Sequence, residues 1–490
     1  MTALRFYNSL TKKVETFTAL PAGRQAASGT VQMYNCGPTV YRRQHIGNMR
    51  RFLFADFLRR ALEFSGLAVR EVTNITDVGH LTQDDIDAGE DKLEAAAREA
   101  KISPQDIARQ QTKLFFDDLA ALTIQQAWKY PRASEHITEM QQLISQLIER
   151  GHAYVTTTGV YFDVRSFPAY GALSGNTLDA IESGSRVAVR EEKKHPADFA
   201  LWKINDPEHL QQWDSPWGRG YPGWHIECSA MSLAYLTSPI DIHTGGQDNR
   251  FPHHENEIAQ SEGATGQPFV RFWMHNAFLN LKGAKLAKRG GKQITLTTLT
   301  NRGYSPLVFR LFVFASHYRS PIDFSWEALE AAQENISSLR HLLRRLHEVI
   351  PRDEAGREPD QKIIAAFQDA LADDLNTPAA LATVMTYMKE LNTKLGPDGS
   401  GLSRQRIQEA LATWRRLDAV LGVIGPLERE ILASTVPAAV QKLAEDREEA
   451  RRGKNFGRAD ELRQEVERQG FTIEDTPAGP RIVKKAPTPS

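Results

Sequence analysis

The order of apolar and polar positions near the N-terminus predicts a strand, a helix and a second strand. Residues Val31–Cys36 form a short apolar run, and an apolar stripe with a period of 3.6 residues follows over Met49–Phe64. The segment Leu67–Thr76, LAVREVTNIT, is again typical of a strand. With a glycine-containing turn before the helix, this order predicts a right-handed βαβ unit. We therefore expect an α/β fold with a doubly wound, Rossmann-like parallel sheet, in which ligands bind where strands end and helices begin.

The pattern changes further along the chain, which predicts an insertion in this first domain. The 490 residues exceed what one hydrophobic core usually serves, so several domains are expected. From residue 84 the sequence becomes helical and rich in charge, and Gly151–Val164 then predicts a hairpin around Thr158 and Gly159. We interpret residues from about 84 to 212 as an insertion in an α/β domain that spans 1–325.

The sequence after residue 325 is almost purely helical. Breaks at Pro351–Gln361 and Gly396–Gly401 divide it into helices, which predicts an all-α helical bundle over 326–430. The last unit, 431–490, is predicted to be a charged helical hairpin with a short extended end and a frayed tail.

Composition and charge narrow the class of protein. The chain has 60 Lys and Arg against 61 Asp and Glu, so it lacks the strongly basic charge balance of proteins that coat nucleic acids. Any polyanionic partner must therefore bind to local basic patches. Two cysteines cannot form a disulfide framework. The N-terminus has no apolar signal core, and no window approaches the length of an apolar membrane span. We expect a cytoplasmic location.

The two cysteines lie in segments that carry other candidate metal ligands. Cys36 ends the first apolar run, and Cys228 precedes the segment PHHENE, in which His253 and Glu257 are four residues apart. On a helix such a pair projects from one face, so two thiolates, one imidazole and one carboxylate would complete a tetrahedral zinc site. The same residues also fit two buried cysteines beside histidines that cap or pair with a helix, and the spacing does not distinguish His253 from His254.

A candidate phosphate site lies at the turn before the first helix. His45, Gly47 and Asn48 fall where unpaired backbone N–H groups and the helix dipole favour an anion, and the imidazole can donate to a phosphate oxygen. A histidine that caps its own helix is the alternative. The segment 281–292, LKGAKLAKRGGK, is a cationic, glycine-rich loop that could close over a triphosphate, or a solvated surface loop.

Together these segments resemble class I aminoacyl-tRNA synthetases, whose two signatures are written HIGH and KMSKS. Here the signatures read HIGN at His45–Asn48 and KLAKR at Lys285–Arg289. Further blocks, among them YNCGPTVY, SPWGRGYPGWHIECSAM, FPHHENEIAQSE and DDLNTPAAL, resemble the cysteinyl-tRNA synthetase family and occur in its order.

The resemblance implies an ATP-dependent ligase that joins L-cysteine to tRNA(Cys) through a cysteinyl adenylate. It implies one zinc ion per chain, bound by Cys36, Cys228, His253 and Glu257, which selects the substrate by its thiolate. Mg²⁺ is expected to arrive with ATP. The resemblance also favours a monomer.

The resemblance further assigns roles to individual positions. The implied catalytic residues, which act on the triphosphate and the departing pyrophosphate, are His45, Asn48, Lys285 and Lys288. The implied substrate- and ATP-binding residues are Gly37, Thr39, Gly47, Thr76, Trp224, His243, Asp248 and Lys288.

The signatures depart from the family pattern, and two alternative functions stay open. HIGN ends in Asn, KLAKR lacks both serines, and Val78, Gly79 and His80 stand where acidic residues are expected. A cysteine:amino-sugar ligase of the mycothiol type would have the same catalytic domain and zinc but no tRNA-reading helices. A non-catalytic paralogue would bind tRNA without charging it.

The C-terminal unit is the part that would read the anticodon. Arg451, Arg452, Lys454 and Arg458 surround one aromatic residue, Phe456. Anticodon bases stack on aromatic or guanidinium planes while cations meet the backbone, so the family resemblance implies an anticodon-binding role. A solvated charged helix with Phe456 buried in the hairpin is the alternative.

Overall fold

Strands lie mainly before residue 325, and helices dominate after it. The computed structural model describes residues 2–20, 30–78, 81–83, 88–178, 192–204, 206, 209–281, 284–285, 293–350, 357–396, 401–433, 437–476 and 479–484. The strands are Arg5–Asn8, Lys13–Thr16, Thr30–Asn35, Ala68–Thr73, Leu81–Gln83, Ala88–Asp91, Ala153–Val155, Gly159–Phe162, Phe199–Ile204, Gly220–Pro222, Ile240–Gly246, Val270–Asn276, Leu279–Leu281, Ala284–Lys285, Ile322–Phe324, Phe471–Thr476 and Gly479–Lys484. The α-helices are Ile46–Phe64, Lys92–Ala100, Pro104–Ala121, Ile137–Glu149, Trp224–Tyr235, Glu255–Thr265, Leu296–Thr300, Pro306–Phe314, Trp326–Val349, Gln361–Ala372, Thr377–Leu395, Arg404–Leu421, Ile424–Ala433, Ala438–Arg452 and Phe456–Arg468.

A four-stranded parallel sheet forms the centre of the α/β region. Its spatial order is Val270–Asn276, Ile240–Gly246, Thr30–Asn35 and Ala68–Thr73. Every residue of Ile240–Gly246 is buried, as expected for a parallel strand covered by helices on both faces. The predicted α/β class with a parallel sheet is confirmed.

The helix Ile46–Phe64 connects the two strands of the predicted βαβ unit. It begins before the predicted Met49, because His45 caps its N-terminus and accepts a hydrogen bond from the Asn48 N–H. Its apolar stripe is buried, and the Phe57 ring meets Phe314 edge to face with centroids 5.0 Å apart. The capped end of this helix points to the same edge of the sheet as the end of strand Thr30–Asn35.

The chain between the halves of the parallel sheet contains a second, antiparallel sheet. Its order is Gly220–Pro222, Phe199–Ile204, Gly159–Phe162 and Ala153–Val155, and the last two strands form the hairpin that the sequence predicts. Residues 129–132 run alongside the edge of the parallel sheet. This segment within the predicted insertion therefore lies next to the central sheet.

The helical bundle is joined to the α/β region through a buried arginine. The Arg310 guanidinium lies 2.7 Å from Asp56 and donates to the carbonyl oxygens of Leu122, at 3.0 Å, and Leu421, at 2.5 Å. Because a buried guanidinium must satisfy all its donors, this residue ties together three segments that are distant in sequence. The bundle helices run from Trp326 to Ala433.

The C-terminal residues form a small unit with its own apolar core. Helices Ala438–Arg452 and Phe456–Arg468 pack as a hairpin, and an antiparallel strand pair follows. This confirms the predicted helical hairpin with an extended end, while the predicted frayed tail lies outside the described residues. Within the part of the chain described, no helix combines the length and the apolar character needed to cross a bilayer.

Candidate functional site

A cavity of about 290 Å³ opens at the carboxyl end of the parallel sheet. Cys36 directly follows the strand Thr30–Asn35, and Thr76 lies just after Ala68–Thr73. This is the edge where ligands bind in open α/β sheets. The predicted site residues that line the cavity are Cys36, Gly37, Thr39, His45, Asn48, Thr76, Trp224, Cys228, Asp248 and His253.

Four candidate metal ligands converge at one end of this cavity. Donor atoms of Cys36, Cys228, His253 and Glu257 all lie within 4.8 Å of one another, and all four residues are buried. The Cys36 Sγ is 3.8 Å from Glu257 Oε1, and His253 Nε2 is 3.0 Å from the same oxygen. Ligand distances of about 2.0–2.3 Å give a zinc tetrahedron edges of roughly 3.3–3.8 Å. The donor set therefore fits a tetrahedral ion with little rearrangement.

A second set of donors shares two of these residues. Cys36, His243, His254 and Glu257 also lie within 4.8 Å of one another, and the Cys36 Sγ is 3.1 Å from His254 Nε2. His253 lines the cavity, whereas His243 and His254 are fully buried behind it. A metal that takes a substrate ligand needs an open position facing the cavity. The geometry therefore favours the set with His253.

Two helices hold these ligands at the correct separation. Helix Trp224–Tyr235 carries Cys228 one turn after Trp224, whose indole stacks on the His253 ring with centroids 4.2 Å apart. His253 belongs to an irregular helical turn, Arg250–His254, that leads into helix Glu255–Thr265. The expected i, i+4 contact forms across this junction, although the first part of the segment is not regular helix.

The metal-site residues carry strongly perturbed ionisation. Burial raises the pKa of Cys36, but its hydrogen bond with Cys228 and the neighbouring His254 together hold that pKa well below its usual value. The hydrogen bond with Cys36, together with burial, raises the pKa of Cys228 well above its usual value. Burial lowers the pKa of His253, but the charges of Glu257 and Cys36 raise it to about 10. A thiolate and a carboxylate are thus concentrated where a dication would bind.

The opposite end of the cavity is the helix N-terminus predicted to bind phosphate. His45 Nδ1 accepts a hydrogen bond from the Asn48 N–H at 3.2 Å, and Asn48 Nδ2 donates to Gln44 at 2.7 Å. His45 therefore caps its helix and also lines the cavity, so the cap is compatible with the phosphate-binding role, which stays a prediction. A second cavity of about 130 Å³, which includes Gly47, adjoins the first through His45, Asn48 and Asp248.

Gly37 allows two chain segments to approach each other beside the thiols. Its N–H donates to Asn74 Oδ1 at 2.7 Å, and a Cβ at this position would lie 1.4 Å from the Asn74 carbonyl oxygen. Backbone hydrogen bonding between Val40 and Thr76 continues the contact, with N···O 3.1 Å. No side chain other than hydrogen fits at position 37 without displacing the strand end.

Several predicted residues lie elsewhere. His243 is fully buried, and its Nε2 is 2.9 Å from Glu257 Oε2. Lys285 ends the short strand Ala284–Lys285, and its side chain lies outside the described part, as do Gly79, His80 and Lys288. Val78 is buried.

Sequence reasoning missed Arg51, which lines both cavities. Its guanidinium donates to the Gly37 carbonyl oxygen at 2.9 Å, and burial lowers its pKa. The available signal was the pair Arg50 and Arg51 at the start of an apolar stripe, in the first turns of the helix whose N-terminus is predicted to bind phosphate.

Comparisons with known proteins identify the family of the chain. Residues 23–334 match the family described as tRNA synthetases class I (C) catalytic domain, 366–425 match the DALR domain, and 433–480 match the cysteinyl-tRNA ligase anticodon binding domain. The cysteine–tRNA ligase of Chlorobaculum tepidum is 42% identical, with 99% of this chain and 100% of that protein covered. The chain belongs to the cysteine–tRNA ligase family. The family members of Thermus thermophilus, 43% identical over 93% of this chain and 95% of theirs, and Deinococcus radiodurans, 45% identical over 92% of each, support the same assignment.

Solved structures confirm the fold of this ligase family member. The methionyl-tRNA synthetase of Mycobacterium tuberculosis in complex with methionyl-adenylate matches with a TM-score of 0.58 at 13% identity, with 82% of this chain and 93% of that chain covered. The fold is thus that of class I aminoacyl-tRNA synthetases. The predicted enzyme class is confirmed by the match to the catalytic-domain family and by the full-length relatives.

Proposed function

We propose that this enzyme joins L-cysteine to tRNA(Cys) in two steps within the cavity at the carboxyl end of the sheet. A carboxylate oxygen of cysteine attacks the α-phosphorus of ATP, and the bond to pyrophosphate breaks. The terminal ribose hydroxyl of tRNA then attacks the adenylate carbonyl, and AMP leaves. The observation that carries this proposal is that residues of a thiol-rich donor set and of a helix N-terminus suited to phosphate line a single cavity.

The thiol-rich end is proposed to select cysteine. Cys36, Cys228, His253 and Glu257 would hold one zinc ion, which supplies a position that prefers a thiolate to a hydroxyl. Glu257 is oriented by His243, whose Nε2 is 2.9 Å from Oε2, and this leaves Oε1 directed towards the other proposed ligands. Such support is typical of metal ligands held in a defined geometry. The remaining cavity walls at this end, including the Trp224 indole, exclude water around the substrate.

The helix N-terminus is proposed to bind the phosphates of ATP. His45 and Asn48 present side chains and backbone dipoles to the triphosphate, and Asp248 lies where the two cavities meet. Lys285 and Lys288 are proposed to stabilise pyrophosphate as it leaves, as the family signature implies. Mg²⁺ is proposed to enter with ATP, held mostly by phosphate oxygens and water.

The C-terminal unit is proposed to bind the anticodon. The Phe456 side chain is 63% exposed at the start of its helix, which supports stacking on a base over burial in the hairpin. We expect Phe456→Ala to weaken tRNA charging and Phe456→Trp to preserve it, with cysteine-dependent pyrophosphate exchange unchanged in both. Equal charging by all three proteins would contradict the stacking role.

Two assays on the purified full-length chain test the proposed function. Cysteine-dependent exchange of pyrophosphate into ATP reports adenylate formation, and attachment of labelled cysteine to tRNA(Cys) reports the second step. We expect both activities, with serine unable to replace cysteine in either. Exchange without charging would favour the amino-sugar ligase, and tRNA binding without exchange would favour the non-catalytic paralogue. We further expect the protein to be a monomer located in the cytoplasm. A measurement of its mass in solution would check the monomeric state.

A further inference from the structure

The two cavities meet at a junction that contains one permanent cation. The described residues that line both cavities are His45, Asn48, Arg51, Asp248 and Asn249. Of these five, Arg51 is the one whose side chain is always positively charged, because a guanidinium is not deprotonated in proteins. The junction therefore pairs one guanidinium with one carboxylate, that of Asp248, within a wall that is otherwise made of imidazole and amide groups.

The Arg51 guanidinium is held in position but is not fully paired. It donates to the Gly37 carbonyl oxygen at 2.9 Å, and its central carbon lies 4.8 Å from the centre of the Phe52 ring. Its buried Nε has no hydrogen-bond partner among the residues that the structure describes. Buried polar atoms are nearly always paired, so an incompletely paired guanidinium beside a cavity indicates a binding group. The side chain is partly exposed, and it lines both cavities.

The walls on either side of the junction indicate which group lies there. The described residues that line only the second cavity are all uncharged, and they are Gly47, Gly246, Asn276, Ala277, Phe278 and Leu279. Such walls suit the uncharged base of a nucleotide. Cysteine is proposed to bind at the thiol end of the first cavity. The group that joins the nucleoside to the cysteine carboxylate in the adenylate is the α-phosphate, which therefore falls at the junction.

We propose that Arg51 is a further catalytic residue, which binds the α-phosphate of ATP and of the cysteinyl adenylate. The inference rests on the proposed function, because it identifies the partner of the phosphorus that the cysteine carboxylate attacks. A planar guanidinium offers parallel N–H donors to two phosphate oxygens. The neighbouring Asp248 carboxylate only accepts hydrogen bonds, so it suits the ribose hydroxyls and not the phosphate.

The charge of the α-phosphate favours it over the other anion near the junction, the carboxylate of cysteine. The carboxylate loses its charge when it becomes the mixed anhydride, so a cation bound to it would stabilise the reactants and oppose the reaction. The α-phosphate remains negative in ATP, in the transition state and in the adenylate. A guanidinium held beside it therefore stabilises the charge on its oxygens during the attack and retains the adenylate after pyrophosphate has left.

Binding of AMP and of adenosine to the purified full-length protein tests this assignment, because the two ligands differ only in the phosphate. Equilibrium dialysis measures both dissociation constants without turnover. Arg51→Met removes the charge and keeps a long side chain that is a good helix former. We expect it to raise the Kd for AMP by about 10-fold, through loss of a charge-assisted contact, and to change the Kd for adenosine by less than about twofold. Arg51→Gln is a second neutral variant, for which the same difference is expected.

Arg42→Met is the matched control, because Arg42 lines the first cavity but not the second, so the same charge is removed away from the junction. It should change the Kd for AMP by less than about twofold, and thermal melts check that each variant is folded. A comparable rise in Arg42→Met would show a general effect of charge and would overturn the assignment.

Two other results would also overturn the proposal. An equal rise of both constants in the Arg51 variants would show that Arg51 shapes the nucleoside site. An unchanged Kd for AMP would exclude a phosphate contact, and a raised KM for cysteine in pyrophosphate exchange would then assign Arg51 to the carboxylate. Failure of the proposed function has a separate signature: wild-type protein would lack pyrophosphate exchange, while the dependence of AMP binding on Arg51 would still be measurable.

Discussion

Replacing His253 by glutamine is expected to empty the metal site, whereas replacing the adjacent His254 by glutamine is expected to leave it occupied. His253 Nε2 is 3.0 Å from Glu257 Oε1 and faces the cavity, while His254 lies behind Cys36. Outer residues that support a metal ligand typically contribute about 10- to 100-fold in metal affinity. The loss of a direct ligand should have a larger effect. We therefore expect His253→Gln to lower the affinity for zinc by more than about 100-fold, which is more than about 2.7 kcal/mol of binding free energy.

Besides their contacts with the metal-site residues, His253 and His254 each contact one other buried histidine. His253 Nδ1 is 2.9 Å from a ring nitrogen of His225, and His254 Nδ1 is 2.7 Å from one of His275. Each substitution therefore disrupts one buried contact between histidines, and similar losses of folding stability are expected. A difference in zinc content between the two variants would then report ligation and not unfolding.

Competition with a chromogenic chelator measures the affinities, and elemental analysis of protein purified without added metal measures occupancy. Wild type is expected to carry close to one zinc per chain, and Cys228→Ala should lower this sharply, as His253→Gln does. Thermal melts of each variant confirm that it is folded. One equivalent of zinc in His253→Gln, together with loss from His254→Gln, would refute the assignment of ligands and favour the alternative set of donors.

Three further predictions concern the catalytic domain. Gly37→Ala should raise the KM for cysteine in pyrophosphate exchange by about 10-fold. The added Cβ would lie 1.4 Å from the Asn74 carbonyl oxygen, so the chain must move. A KM equal to that of wild type would contradict this prediction. Burial raises the pKa of Glu71 to about 7, whereas in the unfolded chain this carboxyl has a pKa of about 4.3. The contribution of Glu71 to the free energy of unfolding is therefore full below about pH 4 and is lost as the pH rises to 7. Denaturant titrations should show wild type losing about 3 kcal/mol more than Glu71→Gln across that range; identical pH profiles would contradict the prediction. Lys288→Ala should lower the turnover of adenylate formation far more than ATP affinity, and a variant that mainly raised the KM for ATP would make Lys288 a simple binding residue.

Local patterns were sufficient to predict the elements that carry the site. The βαβ unit, the hairpin in the insertion, the helical bundle and the C-terminal hairpin all follow from apolar periodicity and turn residues, because these depend on neighbouring positions. The turn that is proposed to bind phosphate could also be predicted from a local pattern, because the capping residue His45 and the helix that follows are contiguous in sequence. The family resemblance then supplied a metal-ligand set that the spacing alone left open.

Tertiary structure decided which distant groups meet. Cys36 and Cys228 are separated in sequence by the strand Ala68–Thr73 and the insertion, and no short-range pattern indicates that their sulfurs lie within 4.8 Å of each other. The choice between His253 and His254 depends on which ring faces the cavity, since both are buried within one irregular turn. A groove beside the cavity, lined by Arg42 and Ala95, forms because helix Lys92–Ala100 packs near the loop that carries Arg42. These contacts are set by packing across the whole domain, so apolar periodicity and local spacing determined the elements and their chemistry, while the fold determined their geometry.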